Sequence, residues 1–301
     1  MIEQHFATPG PLTVRIHNKR GAVELRTHTE PTTDIEVWPA GDGPDGDSAE
    51  ARIECRQDGE GHLVEIDLAD HGALRRMVRG GAGARVTVDL PEGATVRLTT
   101  ASADVRADGR YDDVEIESAS GDARIDRVAG NLKVRGASGD VTVTSVGGAT
   151  RIVTASGGIV CGPLGGAATI ETASGDVRLA TTDADLRVTT ASGDITADVV
   201  AHGAQLRTAS GDQRLAMCVD GHVRLETVSG DLVVGVARGT AVRVDVQTIT
   251  GDLSSEIDLA GAERPGPGPV AAGATLDLAA RTVTGDVRIV RAGPPPAGGA
   301  G

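Results

Sequence analysis

The five-residue stretch Thr-Ala-Ser-Gly-Asp stands complete at 172–176, 190–194 and 208–212, and close variants occupy 118–122, 136–140, 154–158 and 227–231. With the serine as register mark, Ser102, Ser120, Ser138, Ser156, Ser174, Ser192 and Ser210 follow one another at 18-residue intervals. Further copies come after longer gaps, at Ser229, Thr250 and Thr284. A fixed period constrains the fold more than any single motif does. One short repeat cannot bury an apolar face alone and must stack on its neighbours.

Positions −6, −4, +3, +5 and +8 from each marker are mostly apolar: Val114, Ile116, Ala123, Ile125 and Val128 around Ser120, and Leu186, Val188, Ile195, Ala197 and Val200 around Ser192. The residues between them, such as Glu115, Lys133 and Arg135, are polar. Each repeat therefore reads as two short strands with one apolar and one polar face. At the Ser-Gly-Asp turn, Gly accepts a positive φ and Asp can bond nearby backbone N–H groups. A second turn about ten residues on often carries glycine, as at Gly130, Gly147, Gly165, Gly203 and Gly221. Stacking such units in parallel predicts an all-β fold, a parallel β-solenoid of about 18 residues per rung.

Residues 1–90 alternate apolar and polar without a visible 18-residue register, for example Leu12-Val14-Ile16 and Val86-Val88-Leu90. They read as a β-rich N-terminal cap covering the first rung. Residues 91–290 hold the solenoid repeats. A Pro/Gly-rich segment at 261–274 is expected to bulge out as a mobile loop, and 291–301 to form a disordered tail. The hydrophobic fraction is 39%, yet Phe6, Trp38 and Tyr111 are the only aromatics, so Val, Ile, Leu and Ala must fill the core. A net charge of −14 argues against nucleic acid and against anionic membrane surfaces. With no secretion signal, no long apolar span and three cysteines at unrelated spacings, the expected location is cytoplasmic.

The Thr-Ala-Ser-Gly-Asp-Val copies, the opening Val86-Thr-Val-Asp-Leu-Pro-Glu-Gly93 and the closing Thr282-Val-Thr-Gly-Asp-Val-Arg-Ile289 together resemble the bacterial putative-adhesin β-solenoid family. That family is also described as a domain of unknown function. The resemblance covers about residues 86–290. It implies a parallel β-solenoid without established catalysis, and it supplies no site residues.

The sharpest chemical feature is a column of aspartates: Asp104, Asp122, Asp140, Asp176, Asp194, Asp212 and Asp231, continued at Asp252 and Asp286 and broken at Gly158. Stacked neighbours about 5 Å apart repel by roughly 1 kcal/mol in a water-like dielectric. The reading is structural: each carboxylate caps its own turn, with Arg106, Arg124, Arg178, Arg214 and Arg288 two residues on to offset the repulsion. The alternative is a ladder that collects divalent cations; calcium-binding β-rolls also turn every 18 residues, but they use Gly-Gly-x-Gly-x-Asp in each nine-residue half, and that nonapeptide does not occur here. Cys161 and Cys218 fall on apolar columns and read as core filler. His202 and His222 border the glycine turn and read as exposed; no histidines show metal-ligand spacing. No Gly-x-Ser-x-Gly elbow accompanies the many serines.

The motif Thr and Ser are expected to form hydrogen-bonded ladders at the corner, and the Ala column from Ala101 to Ala209 suggests close packing there. Which of the three faces inward is open at this point. No catalytic, cofactor-binding or metal-binding residue is assigned, and no cofactor. The function reading is a non-enzymatic structural or interaction scaffold that presents a rigid polar β-face to a protein partner or to itself, with Arg187, Arg207, Glu171 and Glu226 as the first candidates. The alternatives are a carbohydrate-binding or carbohydrate-active β-helix and a self-assembling filament-former. The first needs paired carboxylates and stacking aromatics, and the solenoid holds only Tyr111. The cap and the tail obstruct the second.

Overall fold

The computed structural model describes residues 1–39, 50–69, 83–257 and 274–292, and the regular structure there is β-strand throughout. Its fold is a parallel β-solenoid. The chain divides into two compact units, Met1–Gly148 with Ile152–Ser156, and Ala149–Arg151 with Gly157–Gly301. The Pro/Gly-rich segment expected to bulge out lies outside the described residues as far as Gly273, and so does the tail from Gly293. Among the described residues, no helix is long and apolar enough to cross a membrane.

In the first unit, strands β1 (Ile2–Ala7), β2 (Leu12–His28), β3 (Thr32–Pro39), β4 (Glu50–Asp58), β5 (Gly61–Ala69) and β6 (Ala84–Pro91) precede the repeats. They are followed by β7 (Thr95–Tyr111), β8 (Val114–Ser120), β9 (Ala123–Val128), β10 (Leu132–Gly136) and β11 (Val141–Val146). Alternation turns Val14, Ile16, Val23 and Leu25 of β2 inward, each at most 1% exposed. β2 runs parallel to β7, matching Val14 with Val96, Ile16 with Leu98 and Val23 with Val105. β2 is thus a full coil with the repeat's column spacing, Arg20 standing opposite the marker Ser102 and Gly21 opposite Ala103. On the other side β2 pairs in parallel with β5 and β6. Antiparallel pairs then end the parallel ladder, β3 with β6, β1 with β3 and β4 with β5.

From β7 onward the period becomes literal. Val96 stands beside Val114 and Val114 beside Leu132, while Val105 stands beside Ala123 and Ala123 beside Val141. Val96 donates to the Asp113 carbonyl and Val114 to the Asn131 carbonyl, each in the following coil and both at 2.9 Å. Strand β12 (Thr150–Ser156) carries the chain from one unit to the other.

The second unit continues with β13 (Ile159–Cys161), β14 (Ala168–Ser174), β15 (Val177–Thr182), β16 (Leu186–Ser192), β17 (Ile195–Val200), β18 (Ala204–Arg207), β19 (Gln213–Cys218), β20 (Gly221–Glu226) and β21 (Leu232–Val236). It ends with β22 (Ala241–Thr250), β23 (Leu253–Ser255), β24 (Thr275–Thr284) and β25 (Val287–Arg291). Even-numbered strands up to β20 stack on one another and odd-numbered ones likewise. One interior column reads Ala168, Leu186, Ala204, Val223, and another Ile159, Val177, Ile195, Gln213, Leu232.

The final coils depart from chain order. β24 pairs with β20 on one side and β22 on the other, and β25 lies likewise between β21 and β23. The markers therefore stack as Ser229, Thr284, Thr250. Composition explains the inversion. The β24–β25 coil points Leu276, Leu278, Ala280, Val287 and Ile289 inward, all at most 2% exposed. The β22–β23 coil offers Val242, Val244, Val246, Leu253 and Ser255 at the matching places. The more apolar coil occupies the position covered on both sides, where burial stabilises it most.

Candidate interaction face

At the corner, the motif threonine faces inward. Thr172, Thr190, Thr208, Thr227 and Thr282 are 4–7% exposed. Thr190 Oγ1 donates to the Ser192 carbonyl at 3.1 Å and Thr208 Oγ1 to that of Ser210 at 3.2 Å, so the buried hydroxyl is satisfied inside its own turn. The alanine column is exposed at Ala101, Ala173, Ala191 and Ala209, which corrects the expectation of close packing there. Period-two alternation requires this once Thr points inward. Close approach belongs instead to the glycine. Gly193 has φ +136°, and a Cβ on it would lie 2.3 Å from the Gly175 carbonyl oxygen one coil back.

The aspartates sit at the exposed or half-exposed rim of this corner, and the expected role as caps of their own turns is corrected. Oδ1 of Asp104 accepts the backbone N–H of Asp122, and Asp176, Asp194, Asp212 and Asp231 accept in the same way from Asp194, Asp212, Asp231 and Asp286, at 2.8–3.1 Å. Asp122 accepts from Asp140 at 3.0 Å. Each carboxylate thus ties one coil to the next, and that bond offsets the repulsion between stacked charges. Two of the expected arginines contribute: Arg124 reaches Asp122 at 3.3 Å and Arg178 reaches Asp176 at 3.0 Å, whereas Arg106 turns to Asp108 at 2.7 Å.

The four residues singled out for an interaction face share one outward sheet surface in the second unit. Arg207 stands beside Thr189 and Glu226, and Glu171 beside Thr189, in one column; Arg187 lies in the next, beside Thr169 and Gln205. Each is engaged. Arg151 bridges Glu171 at 3.0 Å, Arg187 donates to Gln205 Oε1 at 3.0 Å, and Arg207 bridges Glu226 at 2.9 Å. Partial burial works against ionisation of Glu226, but hydrogen bonds and charge from Arg224 and Arg207 outweigh it and hold the carboxyl below its ordinary range. The result is a mixed-charge surface of paired rather than free side chains.

Beside it lies a feature that sequence reasoning missed. The exposed residue before the marker, alanine in most coils, becomes Val228, Val283 and Ile249 in the last three, at 56%, 41% and 79% exposure. A cleft of about 270 Å³ opens here, lined by Glu226, Arg281 and Gln247 on one side and Ile249 and Val283 on the other. The substitution of alanine by larger β-branched residues is the signal that was legible.

Other candidates sit elsewhere. Cys161 and Cys218 are buried in their apolar columns, and burial pushes each thiol up to about 12. Tyr111 is fully buried and donates to the Asp108 carbonyl at 3.0 Å, so it offers no stacking platform. His202 is exposed; His222 is exposed too, with Nδ1 3.2 Å from Asp277.

A family model described as Toastrack DUF4097 matches residues 15–219 and again residues 169–290. No curated protein matches the chain. Among solved structures, a putative adhesin from Bacteroides fragilis is similar at 10% identity and a TM-score of 0.42, over 96% of this chain and 96% of that one. A putative cell adhesion protein from Clostridium sporogenes is similar at 8% identity and a TM-score of 0.27, over 96% of this chain and 99% of that one.

Proposed function

The chain belongs to the Toastrack DUF4097 family, and from that premise we propose that it is a non-enzymatic interaction scaffold whose outward β14–β20 face receives a protein partner. The observation that carries the reading is the fixed charge pattern of that face. Glu171, Arg187, Arg207 and Glu226 are held at coil spacing by ion pairs and hydrogen bonds to neighbours in the sheet. A surface ordered before binding loses little side-chain entropy on docking. The apolar strip of Val228, Val283 and Ile249 beside it supplies area that water covers at a cost, and the cleft gives a partner's side chain a seat. The partner suited to this arrangement is a protein segment with mixed charge and an apolar anchor. A reducing compartment is part of the same proposal, supported by three free cysteines.

The test is affinity capture from the native host, comparing the unaltered chain with an Arg187→Glu, Arg207→Glu, Val283→Asp variant whose melt is unchanged. A partner bound by the first and lost by the second is expected. Equal capture by both would remove this face from consideration.

A further inference from the structure

Among the described residues the β22–β23 coil is the outermost of the second unit, and its apolar side chains are left partly exposed. Val242, Val244 and Val246 occupy the columns in which Leu276, Leu278 and Ala280 are 0–2% exposed, yet all three are only half-buried. Leu253 is 50% exposed where its neighbour Val287 is 0%. Among the described residues, β22 pairs with β24 alone. Ala241 donates to the Ala274 carbonyl on the β24 side, so alternation turns the N–H and C=O groups of Val242, Val244 and Val246 toward the opposite edge. An open edge of this kind is a template for another strand.

The charges on β22 indicate which strand. Its outward residues Arg243 and Asp245 are 83% and 62% exposed, and among the described residues their ion pairs are long, 3.4 Å to Asp277 and 3.8 Å to Arg281. In an antiparallel pairing of β22 with a second β22 centred on Val244, each Arg243 stands opposite the other copy's Asp245. Val242 meets Val246, and Val244 meets itself. The residues with edge-facing backbone groups then fall on the hydrogen-bonded positions of the antiparallel ladder. Centring one residue either way sets arginine against arginine or aspartate against aspartate. We propose that this edge is a self-complementary dimer site, at which two copies of the chain join through antiparallel β22 strands about a two-fold axis at Val244. The pairing is isologous, so it closes at two copies and does not propagate into a filament. It does not depend on the charged β14–β20 face.

Sedimentation equilibrium from micromolar to hundreds of micromolar chain tests the proposal on three proteins: the unaltered chain, Arg243→Asp, and Arg243→Asp with Asp245→Arg. The unaltered chain is expected to dimerise. The single variant places like charges opposite each other at two symmetric contacts and should dimerise about tenfold or more weakly. The double variant restores opposite charges and should recover the dimer. Thermal melts establish that each variant is folded. A second measurement uses Val244→Cys in a Cys55→Ser background. Opposed hydrogen-bonded residues have Cα atoms about 5.5 Å apart, within disulfide reach, so mild oxidation should give a covalent dimer. A chain that stays monomeric throughout overturns the proposal. So does a dimer indifferent to Arg243→Asp, or one that the double variant fails to restore.

Discussion

The backbone N–H of Asp212 donates to Oδ1 of Asp194, one coil back, at 2.9 Å. The same bond recurs along the aspartate column, so the carboxylates act as rungs between turns. What the site uses is an acceptor oxygen, and the negative charge is incidental to it.

Asp194→Asn keeps an acceptor and removes a charge lying between those of Asp176 and Asp212. Its melting temperature is expected to equal or slightly exceed that of the parent. Asp194→Ala removes the acceptor and should cost about 1 kcal/mol. Urea titration of the two variants separates the roles, and a lower stability for the Asn variant than for the Ala variant would contradict the bond's importance. Neither millimolar Ca²⁺ nor EDTA should shift the parent's melt.

Gly193→Ala should be far more damaging than its size suggests. The residue sits at φ +136°, and the new Cβ would meet a backbone carbonyl at 2.3 Å that has a coil stacked behind it. A loss of about 2–4 kcal/mol in chemical denaturation is expected, from strain and overpacking together.

Two adjacent substitutions at one corner should differ sharply. Thr190→Val removes the donor to the Ser192 carbonyl at a site 4% exposed, costing about 1 kcal/mol. Ala191→Val lies on the exposed column, where Val228 already occurs, and should stay within about 0.5 kcal/mol. Equal effects in paired thermal melts would mean that the strand faces are reversed.

Thiol chemistry should report the core directly. Burial places the Cys161 and Cys218 thiols at about 12, far from the thiolate form at neutral pH, while Cys55 is half-buried and raised less. Titration with a chromogenic disulfide reagent is expected to show one slowly reacting thiol in the native chain and three in denaturant.

The hydrogen bond from Lys133 holds the Glu115 carboxyl below its ordinary 4.5. A depressed folded value contributes stability that is present above the unfolded value and lost as pH falls through the folded one. Both side chains are about one-third exposed, so the pair should contribute about 0.5 kcal/mol or less. Lys133→Gln should therefore lower stability slightly at pH 7 and make no difference at the acid end. A loss that persists at low pH would point to packing instead.

Much of the architecture was legible in the chain itself. An 18-residue recurrence of Ser-Gly-Asp with apolar residues at constant offsets can be buried only by stacking like on like, and Val96, Val114 and Leu132 do stand side by side. The coil formed by β2 was obscured, because Arg20 replaces the marker serine and a long segment separates it from Ser102, although Val14, Ile16, Val23 and Leu25 keep the offsets. Three matters were decided only by the tertiary structure. Alternation has two phases at a corner, and packing against the interior chose Thr over Ala. An aspartate beside a turn has N–H groups within reach in its own coil and the next, and the coil spacing selected the next. The order of the last coils depended on which could best fill a place covered on both sides. The β24–β25 coil took it and left the Val242–Val246 edge of β22 at the outside, because burial rewards the richer apolar face and chain order carries no energy of its own.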